Sequence, residues 1–114
     1  MKKLPTCPVE TTLLLISNKW KVLILRELIN QPMRFGQLQK SINHISAKVL
    51  TANLREMESD KLLTRKVFPE IPPHVEYKLT DLGQSLKPIL DSMKDWGSQY
   101  QKLVQEKGCD KSIQ

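Results

Sequence analysis

The sequence predicts a mainly α-helical winged helix-turn-helix domain with a small β-hairpin and terminal dimerisation helices. Three observations predict it. Residues 35–60 read as two helices joined by a short turn, and the second helix divides into two faces. Ala47, Leu50, Leu54 and Met57 recur at i, i+3, i+7 and i+10 on an apolar face, while Lys48, Thr51, Ala52 and Arg55 form a small, polar, basic one. A hairpin pattern with a proline-rich tip follows. The last apolar stripe is longer than a small domain can cover by itself.

Length and composition set the frame. A chain of 114 residues with 39% hydrophobic and 26% charged residues reads as one globular domain spanning 1–114. Within it the helix-turn-helix occupies about 36–60, the wing about 62–79 and a C-terminal dimerisation helix about 80–107. No apolar run is long enough to span a membrane. The run 13–16 is also too short for a signal-peptide core, so the expected location is cytoplasmic. Neither Cys7 and Cys109 nor His44 and His74 has partners at metal-ligand spacing, so no metal and no cofactor are expected. With no phosphate-cradling loop and no nucleophile–base spacing, an enzyme is not expected either.

The net charge of +6 is unevenly placed. Residues 1–79 carry 13 Lys and Arg against 7 Asp and Glu, whereas 80–114 carry 5 of each. A basic body joined to a neutral helix suits a polyanion-binding unit whose last helix has another task.

Each element has its own justification. Pro8 opens a first helix over 8–17, because its missing N–H is not needed in a first turn. Ser17 and Asn18 interrupt the pattern, and a second helix over 19–29 is apolar almost all round, hence central. Pro32 ends it. A very short strand at 33–35 precedes a third helix over 36–41, from which Leu38 and Ile42 face inward with Phe35. After the turn 43–45, Ser46 is a good N-cap for the recognition helix, which ends near Asp60. A strand over 62–68, the tip 69–73 and the alternating strand 74–79 make the wing. Thr80 caps the last helix, which Pro88 should kink, and a frayed tail begins at Gly108.

The expected DNA-contacting residues follow from this order. Lys48, in the first turn after the Ser46 cap, reaches base edges or phosphate; Thr51 and Ala52 are small enough to touch thymine methyls; Arg55 contacts the backbone or pairs with Glu58. Arg34 and Gln37 begin the supporting helix, and Arg65, Lys66 and Lys78 line the wing. The expected partner is double-stranded DNA carrying an inverted repeat, bound by a homodimer. Leu13, Ile16, Met93, Trp96, Tyr100 and Leu103 are the expected dimerisation residues. The competing reading is a winged-helix module for protein contacts, under which the Lys48/Thr51/Ala52/Arg55 face is idle surface. Cys7 stands at a predicted helix start with Lys2 and Lys3 nearby, the electropositive setting in which thiols react, and is a candidate sensor of oxidants or electrophiles.

Several segments together resemble the HxlR-type transcriptional regulators, relatives of the MarR-like winged-helix proteins. They are Cys7-Pro8-Val9-Glu10, Lys19-Trp20 with Leu23 to Leu28, Arg34-Phe35 with Leu38, the run from Ile45 to Thr51, Leu54 to Glu58, Val75 to Thr80, Leu82-Gly83, and the stretch to Trp96. The resemblance covers about residues 7–104. It implies a homodimeric DNA-binding repressor or activator of nearby genes, paired through its terminal helices, and a sensing role for the cysteine at position 7. The chain departs from that pattern at Ser17-Asn18, where glycine is common, and at Ala47 and Val49, where Gln and Met are common.

Overall fold

The computed structural model describes residues 3–106. The elements run α1 (Pro8–Leu15), α2 (Lys19–Leu28), β1 (Met33–Arg34), α3 (Phe35–Ser41), α4 (Ala47–Ser59), β2 (Leu63–Phe68), β3 (His74–Leu79), α5 (Asp81–Gln84) and α6 (Lys87–Glu106). The predicted order of helices and hairpin is therefore found, with boundaries that move by a residue or two. Cys7 occupies the N-cap position of α1 and Pro8 its first turn, as the proline rule requires.

The hairpin is the larger part of a three-stranded antiparallel sheet in the order β1-β3-β2. Leu63 lies opposite Leu79, Arg65 opposite Tyr77 and Phe68 opposite His74. The short strand β1 adds Met33 opposite Tyr77, on the other side of β3. One face of this sheet closes the core.

That core is assembled around α2. Ile24, Leu25 and Leu28 are buried against Leu38 and Ile42 from α3 and its end, Leu50, Leu54 and Met57 from α4, and Leu63, Tyr77 and Leu79 from the sheet. Burial of Tyr77 raises its phenol pKa above the ordinary 10.0; Arg65 lowers it, Glu58 raises it and Arg55 lowers it, in decreasing order. The apolar face predicted for α4 holds at Leu50, Leu54 and Met57 but not at Ala47, which is exposed. Ser46, Ala47 and Lys48 all stand clear of the body, so the first turn of α4 projects beyond the layer that covers its middle. Asn53 is buried as well, next to Leu54 and one turn after Leu50.

The end of α4 is set by Lys61, whose φ of 67° is left-handed. The Leu62 N–H then donates to Met57 O at 3.0 Å and the Lys61 N–H to Glu58 O at 3.0 Å, satisfying carbonyls that the helix leaves open.

The predicted single C-terminal helix is two helices. Pro88 cannot donate to the Gln84 carbonyl and its ring would collide there, so the helix breaks upstream, at Ser85 and Leu86, rather than kinking. Pro88 then sits in the first turn of α6, where its missing N–H costs nothing. Thr80 caps α5: its Oγ1 accepts from the Gly83 N–H at 3.1 Å and donates to Lys61 O at 2.6 Å. Gly83 packs directly on the preceding turn, and a Cβ placed on it would lie 2.1 Å from the Leu62 carbonyl oxygen. Backbone is what blocks the space, so no side-chain rotation relieves it. Gly83→Ala should therefore lower unfolding free energy by about 1–3 kcal/mol or more. A urea titration reads the shift, and an unchanged midpoint would show that α5 moves freely.

Candidate nucleic-acid interface

The turn between α3 and α4 is compact because each polar end is satisfied locally. The Arg34 N–H donates to Gln37 Oε1 at 2.9 Å, closing the start of α3. His44 takes the left-handed conformation, with φ 68°, that reverses the chain. Ile45 is buried beside it and anchors the turn. The predicted Ser46 cap forms: its Oγ accepts from the Val49 N–H at 3.1 Å. A serine here satisfies one of the four N–H groups a helix start leaves open.

The result is a helix with one buried face and one presented face. Lys48, Ala52 and Arg55 are exposed, and Thr51 is half-buried at the edge of the same face. The alternative to a backbone contact, a pair between Arg55 and Glu58, is not the one formed; Glu58 lies 3.8 Å from Arg65 Nε instead, across to the wing. Arg55 thus keeps its charge facing outward.

Arg34 is exposed at the start of α3, on the rim of an open cleft of about 520 Å³ between α3 and the beginning of β3. Lys40 and His74 line the same cleft. Gln37 is exposed there too, but its carbonyl oxygen is already committed to the Arg34 N–H, leaving only the amide NH₂ for an external acceptor.

The wing residues do not share one surface. Register places Arg65 opposite Tyr77, on the face turned toward the core, and places Lys66 opposite Glu76 and Thr64 opposite Lys78 on the other face. The Lys66 ammonium lies 4.9 Å from the centre of the Phe68 ring, which stacks on His74 at 4.6 Å. Lys66 and Lys78 are therefore a pair on one side of the hairpin, and Arg65 belongs with α4.

The expected dimerisation residues also divide. Leu13 is 58% exposed and Met93, Trp96, Tyr100 and Leu103 are 47%, 68%, 55% and 49% exposed. Trp96 and Tyr100 stack at 5.4 Å. Ile16 does not belong with them: it is half-buried and packs on its own core. The turn after α1 brings it under the domain rather than onto the outer face.

The site reading missed four residues behind α4. Asn18 Nδ2 donates to Asn53 Oδ1 at 3.1 Å, and the Lys21 ammonium pairs with the Glu56 carboxylate although Lys21 is only 1% exposed. The signal was available: Lys21, Ile24, Leu25 and Leu28 stand at i, i+3, i+4 and i+7, which puts a lysine inside the buried stripe.

The sequence profile described as HxlR-like helix-turn-helix matches residues 15–105. The chain belongs to this family. HxlR-like relatives include the uncharacterized HTH-type transcriptional regulator YdeP of Bacillus subtilis, 44% identical over 98 residues, which are 86% of this chain and 77% of YdeP. A regulator of the same description from Methanothermobacter thermautotrophicus is 45% identical over 94 residues, 82% of this chain and 72% of its own. Among solved structures, the redox regulator HypR in its reduced form superposes with a TM-score of 0.81 at 37% identity, over 88% of this chain and 99% of HypR. The reduced form of YodB from B. subtilis gives 0.73 at 34% identity, over 84% and 95%. The protein is a DNA-binding transcriptional regulator with the winged helix-turn-helix fold, as the residues predicted. Its family is one of regulators and not an enzyme class.

Proposed function

We propose that the protein works as a two-fold dimer that reads an inverted-repeat duplex through Lys48, Thr51, Ala52 and Arg55 and so governs nearby genes. The observation that carries this reading is the presented face of α4. It is short-chained at Thr51 and Ala52, cationic at Lys48 and Arg55, and stands on a helix whose opposite face is locked into the core. Short side chains allow the helix to lie deep in the major groove, and the cations meet phosphate or base acceptors. Arg34 and Gln37 at the start of α3, Ser46 at the cap, and Arg65, Lys66 and Lys78 on the wing supply backbone contacts beside it. Selection from a random duplex pool should return an inverted repeat with half-site centres about 34–36 Å apart or a multiple of that. Affinity should fall steeply with salt. Lys48→Ala or Thr51→Ala should change the preferred sequence, while Arg65→Ala should weaken all sequences alike. Salt-independent binding that survives Lys48→Ala with Arg55→Ala would leave the winged-helix protein-contact reading in its place.

The second copy follows from α6 and α1. Leu13 on α1 and Met93, Trp96, Tyr100 and Leu103 on α6 are apolar side chains that the described residues leave exposed. A second copy laid antiparallel along α6 would bury them and place the two α4 helices on one side, as a two-fold reader needs. Sedimentation at micromolar concentration should give a dimer, and Trp96→Ala should shift it toward monomer; a monomeric wild type would dismiss the arrangement.

Cys7 adds a candidate input. It is exposed, makes no cap bond with its side chain, and begins the helix that carries Leu13. Redox regulators of similar structure, HypR in reduced and oxidised forms and YodB in reduced and diamide-treated forms, favour a thiol response here. An adduct or an intersubunit disulfide at Cys7 would change how α1 meets the partner and so the spacing of the two α4 helices. Wild type treated with hypochlorite should lose operator binding while Cys7→Ser keeps it; equal behaviour of the two makes Cys7 a bystander. Cys109, the other expected thiol, lies outside the described residues, and Cys109→Ser controls for it.

A further inference from the structure

Two polar rungs tie the recognition helix to α2, and neither uses Lys48, Thr51, Ala52 or Arg55 of its presented face. On the first, Asn18 serves two masters. Its Oδ1 accepts from the Lys21 N–H at 2.9 Å, capping α2, and its Nδ2 donates to Asn53 Oδ1 at 3.1 Å. Asn53 then donates from Nδ2 to the Val49 carbonyl at 2.8 Å, so its amide is fixed at both ends. On the second, the ammonium of Lys21 meets Glu56. Asn18 and Lys21 are one turn apart on α2, and Asn53 and Glu56 are one turn apart on α4. Lys21 and Asn53 are buried at 1% and 9% exposure, while their partners Glu56 and Asn18 reach the surface, so each rung runs from the core to solvent.

Stability alone does not call for polar groups here. A buried ion pair is commonly matched or exceeded by apolar side chains of the same volume. What polar groups add is direction. Dispersion contacts among Ile24, Leu25, Leu50 and Leu54 allow one helix to slide or roll slightly on the other, whereas a hydrogen bond loses strength steeply with angle and distance. Two rungs, one turn apart, fix both the roll and the depth of α4.

We infer that Asn18–Asn53 and Lys21–Glu56 form a register latch that sets the presentation of α4 to the major groove, with the four as positioning residues for sequence discrimination. The inference rests on α4 being the helix that reads DNA. Asn18→Ser keeps a cap oxygen but cannot span to Asn53. Lys21→Met with Glu56→Gln removes both charges at similar volume.

The test measures binding of the full-length variants to the duplex selected by wild type and to a scrambled duplex of equal composition, over a salt series, with thermal melting alongside. The latch predicts melting temperatures within about 5 °C of wild type, about the effect of 1 kcal/mol in a domain of this size. It also predicts a selected-to-scrambled affinity ratio reduced about fivefold in Asn18→Ser, the value of one neutral hydrogen bond, and further when both rungs are removed. The salt slope should stay at its wild-type value, because no phosphate contact is lost. An unchanged ratio overturns the latch. So does a large melting loss with both affinities falling in parallel, which would make the rungs structural only. A wild type that selects no sequence would instead fail the DNA reading on which the latch stands.

Discussion

Everything in this fold hangs on the burial of α2. It contributes Ile24, Leu25 and Leu28 to the centre and meets α3, α4 and the sheet at once. The sequence expectation of a helix apolar nearly all round is not met: Ile24, Leu25 and Leu28 are buried, while Lys19 and Arg26 face solvent, so α2 is an amphipathic helix with an unusually wide buried stripe. Its one buried cation, Lys21, is tolerated because Glu56 answers it from α4. The recognition helix is thereby held from behind by α2.

The distribution of charge follows the same division. Cations that face outward lie at the start of α3, along α4 and on the wing, while the neutral C-terminal segment presents Met93, Trp96 and Tyr100. A surface of one sign attracts a polyanion over a distance set by salt. An apolar surface acts only on contact. Under the proposed function, assembly and DNA approach would therefore draw on different residues.

Much of this was legible in the residues because the signals are local. Ser46 as a cap, Pro8 at a helix start and the alternation from His74 to Leu79 each depend on near neighbours in the chain, and each was found as expected. The departures come from contacts that sequence spacing does not encode. Ala47 fits the apolar period of α4, yet none of the described residues covers it in the first turn of that helix. Ile16 continues the stripe of α1 but is turned under the domain after α1 ends. Arg65, Lys66 and Lys78 look alike in the sequence and are separated by strand register, which depends on pairing across the hairpin. The expected single C-terminal helix failed at Pro88 for a local reason that was visible: proline suits a first turn better than a kink. The rungs behind α4 join residues 35 positions apart, and only the folded chain brings them together.

The contact between Gly83 and the Leu62 carbonyl has a consequence for how such a molecule can change over time. The path from the end of α4 to the start of α6 runs through space by way of this contact and the Thr80–Lys61 bond, not around the wing. The tip at residues 69–73 hangs outside that path. Its length and composition are free to drift without altering the distance between α4 and α6. Insertions there would change only the outer end of the wing, and in the proposed dimer the ruler between half-sites would stay the same length.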